Sequence, residues 1–177
     1  MNRIESLTEY GEREFLKFFE PSIVFLQEEY KKKTCLEEIR RLAEQIKAAA
    51  EQRKTGEDCY LGILYLESSL LTGSYELLVM LTDGSLYLDP VPLEIYWRPP
   101  LFFEEFEKNI KEVLTEVKKS FRHVQPFEVW AVKRQCAVYY YAAFGKLLED
   151  IADELGFPEN MTVFYGRYLG KARIIGR

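Results

Sequence analysis

The chain reads as an α+β protein: a four-stranded antiparallel β-meander over about residues 59–97, with four to five helices packed on one face. Three observations give this class. Apolar residues recur every three or four positions before residue 55 and again after residue 101. Between them, from Cys59 to Trp97, β formers run between the turn signals Thr72-Gly73 and Asp83-Gly84 and the prolines at 90 and 92. Finally, 177 residues with 47% hydrophobic and 30% charged side chains suit a single domain, 1–177, with one core.

Each element has a local reason. Ser6-Leu7-Thr8-Glu9 fits a capping box, and Leu7, Phe15, Phe18 and Phe19 follow at helical spacing. Pro21 either interrupts that helix or opens the next as its first residue, with Ile23, Leu26 and Tyr30 continuing the period. Thr34-Cys35-Leu36-Glu37 is a second capping-box match. It precedes Leu36, Ile39, Leu42, Ile46 and Ala49, and Lys54-Thr55-Gly56 is a stop signal.

The strands are expected at about 59–71, 74–82, 85–89 and 93–97. Asp83-Gly84 suits a two-residue type I′ turn, which would pair Leu81 with Leu86 and Val79 with Leu88. Thr72-Gly73 would pair Leu70 with Tyr75 and Leu66 with Val79. Pro90 and Pro92 place the last strand at an edge, because proline cannot donate to a ladder.

Past Pro99-Pro100, the stripe Phe103, Phe106, Ile110, Leu114, Val117 and Phe121 predicts an amphipathic helix over 101–121. Glu104–Lys108 and Glu107–Lys111 would lie on its wet side. Pro126 starts a long helix to about Leu155, Gly156 caps it and Pro158 prevents continuation. Between Ala131 and Gly145 that helix is apolar on most sides, so it should be central. Tyr139-Tyr140-Tyr141 fans over roughly 200° of the helix, so at least one ring faces the core while the others reach polar partners. The tail, MTVFYGRYLGKARIIGR, reads as a short strand followed by an irregular basic arm.

For function, the expected registers sort side chains by a period of two. Leu64, Leu66, Leu70, Leu77, Val79, Leu81, Leu86 and Leu88 would face the helices. The other face would gather Glu67, Glu76 and Asp89 around Leu78, with Tyr65 and Tyr87 nearby. Carboxylates flanked by phenols could hold a hard metal ion or a cationic group. The competing reading is the hydrated outer face common in antiparallel sheets.

Other chemistry finds little footing. The single histidine, His123, falls between two helices with no nucleophile motif near it. Cys35, Cys59 and Cys136 have neither CxxC nor zinc-ligand spacing. They read as reduced thiols of a cytoplasmic protein with no metal and no cofactor. There is no Walker loop and no GxGxxG. A net charge of −5 repels nucleic acid, which is not an expected partner. No apolar run is long enough for a membrane span, and no secretory leader is expected from the first residues.

The segment 158–177 stands out as a possible docking tail. Arg167, Lys171, Arg173 and Arg177 give it four cations, leaving −9 for the rest of the chain. Tyr168, Leu169, Ile174 and Ile175 are interleaved with them, more apolar area than a free terminus should expose. The tail could fold back on its own domain or dock on a partner. The expected function is therefore a non-catalytic interaction or structural subunit of a larger bacterial protein assembly, with a protein partner or self-association. The alternative is a small-molecule- or metal-binding protein or enzyme using the acidic, tyrosine-flanked sheet face.

The segments SSLLTGSYELLVMLTDGSLYLDP, YWRPPLFFEEFEKNI and VYYYAAFGKLLEDI, within about Leu64–Ile151, resemble uncharacterised proteins of anaerobic Gram-positive bacteria. That group has no known activity, so the resemblance implies no site residue.

Overall fold

The computed structural model describes residues 2–52, 59–83, 88–89, 91–158 and 160–176. The chain is α+β and divides into two compact units: Met1–Tyr30 with Pro100–Phe144, and Lys31–Pro99 with Gly145–Arg177.

The first unit is helical. It holds α1 (Arg3–Lys31) to Tyr30, α4 (Phe102–Ser120) and the opening part of α5 (Pro126–Leu155). α1 starts one turn earlier than expected, because the operative capping box is Asn2–Glu5. The Glu5 N–H donates to Asn2 Oδ1 at 3.1 Å, and the Asn2 N–H donates to Glu5 Oε2 at 2.9 Å. Pro21 neither breaks nor opens a helix but lies inside α1. Leu7 and Phe15 before it, and Leu26 and Tyr30 after it, are all buried, and this packing outweighs the one lost backbone bond. Phe15, Phe102, Phe106, Tyr140 and Phe144 form an aromatic core with mostly edge-to-face or tilted rings. Gly11 lets α1 approach α5: a Cβ there would stand 2.7 Å from Val132 Cγ1.

The tyrosine triplet divides as its spacing implies. Tyr140 is fully buried, Tyr141 is buried against Phe103, and the half-buried Tyr139 donates its hydroxyl to Glu12. One polar side chain from each helix meets in this core. Asn109 Nδ2 donates to Ser22 Oγ and to Tyr140 Oη, each at 2.9 Å. Burial pushes the Tyr140 phenol up to about 12, with the Ser22 and Asn109 hydrogen bonds acting the other way.

The second unit carries a five-stranded mixed sheet in the order β3-β2-β1-β4-β5. Its strands are β1 (Cys59–Tyr65), β2 (Leu77–Thr82), β3 (Leu93–Trp97), β4 (Met161–Arg167) and β5 (Ala172–Gly176). β1 pairs antiparallel with β2 and parallel with β4, while β2–β3 and β4–β5 are antiparallel. α2 (Lys33–Gln52) presents Cys35, Ile39, Leu42, Ala43 and Ile46 as a buried stripe. The end of α5 packs on the sheet through Tyr165, whose ring lies against Gly145.

The meander therefore needs correction. The expected strand 59–71 is β1 followed by a short helix, α3 (Glu67–Thr72). Thr72-Gly73 is not a hairpin turn: Gly73, at φ 77°, caps α3 and donates its N–H to the Ser69 carbonyl at 3.0 Å. β2 has β1 and β3 as its described neighbours, and most of the expected strand at 85–89 lies outside the described residues. Leu88 itself sits in a 3₁₀ turn, and the Asp83-Gly84 turn falls partly outside the described residues.

Val79 stands opposite Ile63 rather than Leu66. The shift is odd in residues, so it exchanges the faces. Nor is one face wet along β2: Leu77 through Thr82 are all buried. On the side away from Tyr165, Leu64, Leu78 and Met80 form an apolar cluster with Leu66 and Phe164 packed on it. The tail is not an irregular arm either. It contributes two strands, with Met161, Val163 and Tyr165 in the core.

Candidate functional site

The acidic residues singled out in the sequence are spread along the sheet rather than gathered on a face. Tyr65 ends β1, half-buried, with its ring 5.9 Å from that of Tyr165. Burial raises its phenol pKa, the Arg167 charge opposes this, and the Glu67 charge adds to it. Glu67 opens α3 and pairs with Arg167 at 3.0 Å. Glu76 precedes β2, and its carbonyl accepts from Ser69 Oγ at 2.8 Å. Asp89 lies past the other end of β2, where it accepts from the backbone N–H groups of Asp83 (3.2 Å) and Val91 (2.8 Å). The length of β2 separates Glu76 from Asp83, about 20 Å at a strand's rise per residue. Tyr87 lies outside the described residues. Among the described residues, no group of three or more His, Cys, Asp and Glu could hold a metal ion.

The thiols and the histidine do not build a nucleophilic site. Cys35, Cys59 and Cys136 are free and buried, and burial pushes the Cys136 thiol up to about 12. His123 is exposed in the α4–α5 connection at φ 54°, and its carbonyl accepts from Gln125 Nε2 at 3.1 Å.

The tail residues do come together. Arg167 and Lys171 close the β4–β5 hairpin, the Arg167 N–H donating to the Lys171 carbonyl at 3.0 Å. Gly166 must be glycine here, since a Cβ would stand 2.3 Å from the Lys171 carbonyl oxygen. The turn between them runs Tyr168-Leu169-Gly170. The Tyr168 N–H donates to the Tyr65 carbonyl at 3.2 Å, tying the turn to the end of β1. Leu169 adopts φ 52°, a left-handed conformation disfavoured for a Cβ-bearing residue, although glycine follows it. It is also 71% exposed.

Farther along, Ile174 is 53% exposed and Ile175 is half-buried. Arg173 turns to Glu149 of α5 at 3.2 Å, while Lys171 is exposed with no ion partner among the described residues. Arg177 lies outside the described residues. The hairpin thus presents an apolar tip and edge interleaved with cations. The sequence flagged these residues by their composition, but the alternation of Ala172 to Gly176 along a strand was hidden in so short a segment.

Comparison of the chain with protein-family models, with curated proteins and with solved structures finds no significant match. Among the described residues, no helix is long and apolar enough to cross a membrane.

Proposed function

We propose that the protein is a non-catalytic interaction subunit of a larger protein assembly, and that the β4–β5 hairpin is its contact surface. One observation carries the reading: Leu169 breaks two rules at once. It exposes a large apolar side chain at a turn tip, and it holds a backbone conformation that glycine adopts without strain. Stability alone would select against both features, whereas an apolar anchor entering a partner's pocket would account for them. Tyr168 beside it and the neighbouring Arg167 belong to residue types enriched at interfaces.

The ligand-binding alternative draws less support. Glu67 is engaged by Arg167, and Asp89 is engaged by two backbone N–H groups at the far end of β2.

The test is Leu169→Gly. Left-handed strain of about 1–2 kcal/mol is relieved, less the entropy that glycine adds to the unfolded chain. The variant should therefore melt no lower than the wild type, and up to about 1 kcal/mol more stably. It should lose the stoichiometric partner that the wild-type chain captures from its native cell, or the wild type's self-association in sedimentation. A variant that is equally stable or more so, with capture and mass unchanged, contradicts the reading.

A further inference from the structure

Resting on that interaction reading, we infer that β5 is a docking edge to which an extended acidic segment of a partner protein adds as a sixth strand. β5 ends the strand order, so one of its sides faces no described strand. The closing bond between Arg167 and Lys171 fixes which groups face outward. Hydrogen-bonded pairs alternate along an antiparallel ladder, so Tyr165 and Arg173 form the next bonded pair. Ala172 and Ile174, opposite Gly166 and Phe164, therefore direct their N–H and C=O groups away from β4. These are the groups an added strand would bind.

The two edges of the sheet are not alike. β3 is flanked by Pro92 and Pro99 and carries the exposed Glu94, which are common protections of an edge. β5 has no proline, and its one charged side chain, Arg173, is turned aside to Glu149. Ile174 stands exposed beside Phe164, where an apolar residue of a sixth strand would cover it.

Charge selects the occupant. Lys171, exposed and with no ion partner among the described residues, leads into the outward groups in a chain whose other charges sum to an acidic total, while Arg173 is held by Glu149. An acidic residue of an incoming strand would face Lys171, with apolar residues beside it. A second copy of the chain fits poorly. Antiparallel pairing of two β5 edges that matches Ala172 to Ala172 sets Arg173 against Lys171, and matching Ala172 to Ile174 sets Arg173 against Arg173. Like charges directly opposite one another are destabilising. Matching Ile174 to Ile174 sets Arg173 against Ile175 instead, but it runs the contact into the irregularity at the Val163/Phe164 step opposite Gly176.

The experiment uses the full chain and a fluorescent eight-residue peptide of alternating Glu and Val, with a Lys/Val peptide as control. The Glu/Val peptide should bind, weaken as salt is raised, and outbind the control. Ile174→Pro removes an outward N–H while leaving the inward Arg173 bond, and it should weaken binding on the order of fivefold or more. Ile174→Val keeps the N–H and should bind nearly as the wild type does. Should Ile174→Pro unfold the chain, amide exchange at Ala172 and Ile174 in the wild type must still slow with saturating peptide. Equal binding of both peptides, unaltered exchange at those amides, or a folded Ile174→Pro that binds fully would overturn the proposal. So would a concentration-dependent doubling of mass that Ile174→Pro abolishes, since a second copy would then hold the edge. A native partner lost on Leu169→Gly but kept by folded Ile174→Pro sinks strand addition and leaves the interaction reading standing. A partner kept by both variants sinks both.

Discussion

The ring of Tyr165 occupies the space that a side chain on Gly145 would need: Cδ1 and Cε1 lie 2.6 Å from the position of a Cβ there. Arg173 Nη2 lies 3.0 Å from the same point. α5 and the hairpin are thus fitted to one another at a glycine, and the C-terminal strands are part of the fold rather than an appendage.

Gly145→Ala should consequently destabilise the protein. Alanine in a helix interior gains about 1 kcal/mol over glycine when there is room. Here a buried ring must move, and overpacking of this kind costs about 1–3 kcal/mol. Urea unfolding decides the sign, and a raised midpoint would mean that β4 does not sit against α5.

Asn109 joins Ser22 and Tyr140 inside the helical unit, and the bond to Tyr140 should be energetically coupled. Asn109→Ala leaves a buried phenol without its donor, a loss of about 1–3 kcal/mol. Combined with Tyr140→Phe, the double-mutant cycle should show a coupling of about 0.5 kcal/mol or more. Strictly additive losses would remove the network from the account.

How much of this was legible in the sequence follows from periodicity. Helices α4 and α5 could be read from the stripe Phe103 to Phe121 and from Pro126 and Gly156. β1 and β2 were recognisable as strands, but their partners were not. Leu66 and Leu70 are four apart, a spacing that fits both a strand and a helix, so periodicity does not separate α3 from a strand. β2 is an unbroken apolar run, LLVML, closed by Thr82, with no alternation to fix its register. The parallel β1–β4 pair joins residues about a hundred positions apart, and no local pattern announces it. Residues of the hairpin surface were visible as an apolar-basic mixture, but the left-handed Leu169 and the direction of the edge groups needed three dimensions.

The Arg3–Glu128 pair makes a prediction about pH. Arg3 donates to Glu128 at 2.7 Å, and the Gln125 N–H donates to the same carboxylate at 2.8 Å, closing the start of α5. Those bonds, the Arg3 bond first, hold Glu128 below the usual glutamate value of 4.5. A carboxylate lowered on folding adds stability above its unfolded pKa, and that stability is lost as pH falls through the folded value. Glu128→Gln should therefore melt below the wild type at pH 7, with the gap narrowing as pH drops below about 4.5. A gap independent of pH would mean that the carboxylate charge contributes nothing.

The central claim is that residues 161–176 form an integral hairpin whose last strand leaves one edge open. Residue-resolved amide exchange on the free full-length chain tests it most directly. The amides of Tyr165 and Arg173, bonded to each other across the hairpin, should be protected, while those of Ala172 and Ile174 should exchange rapidly. Rapid exchange at all four would mean a frayed tail, and protection of Ala172 and Ile174 equal to that of Arg173 would mean an edge already covered; either result contradicts the account.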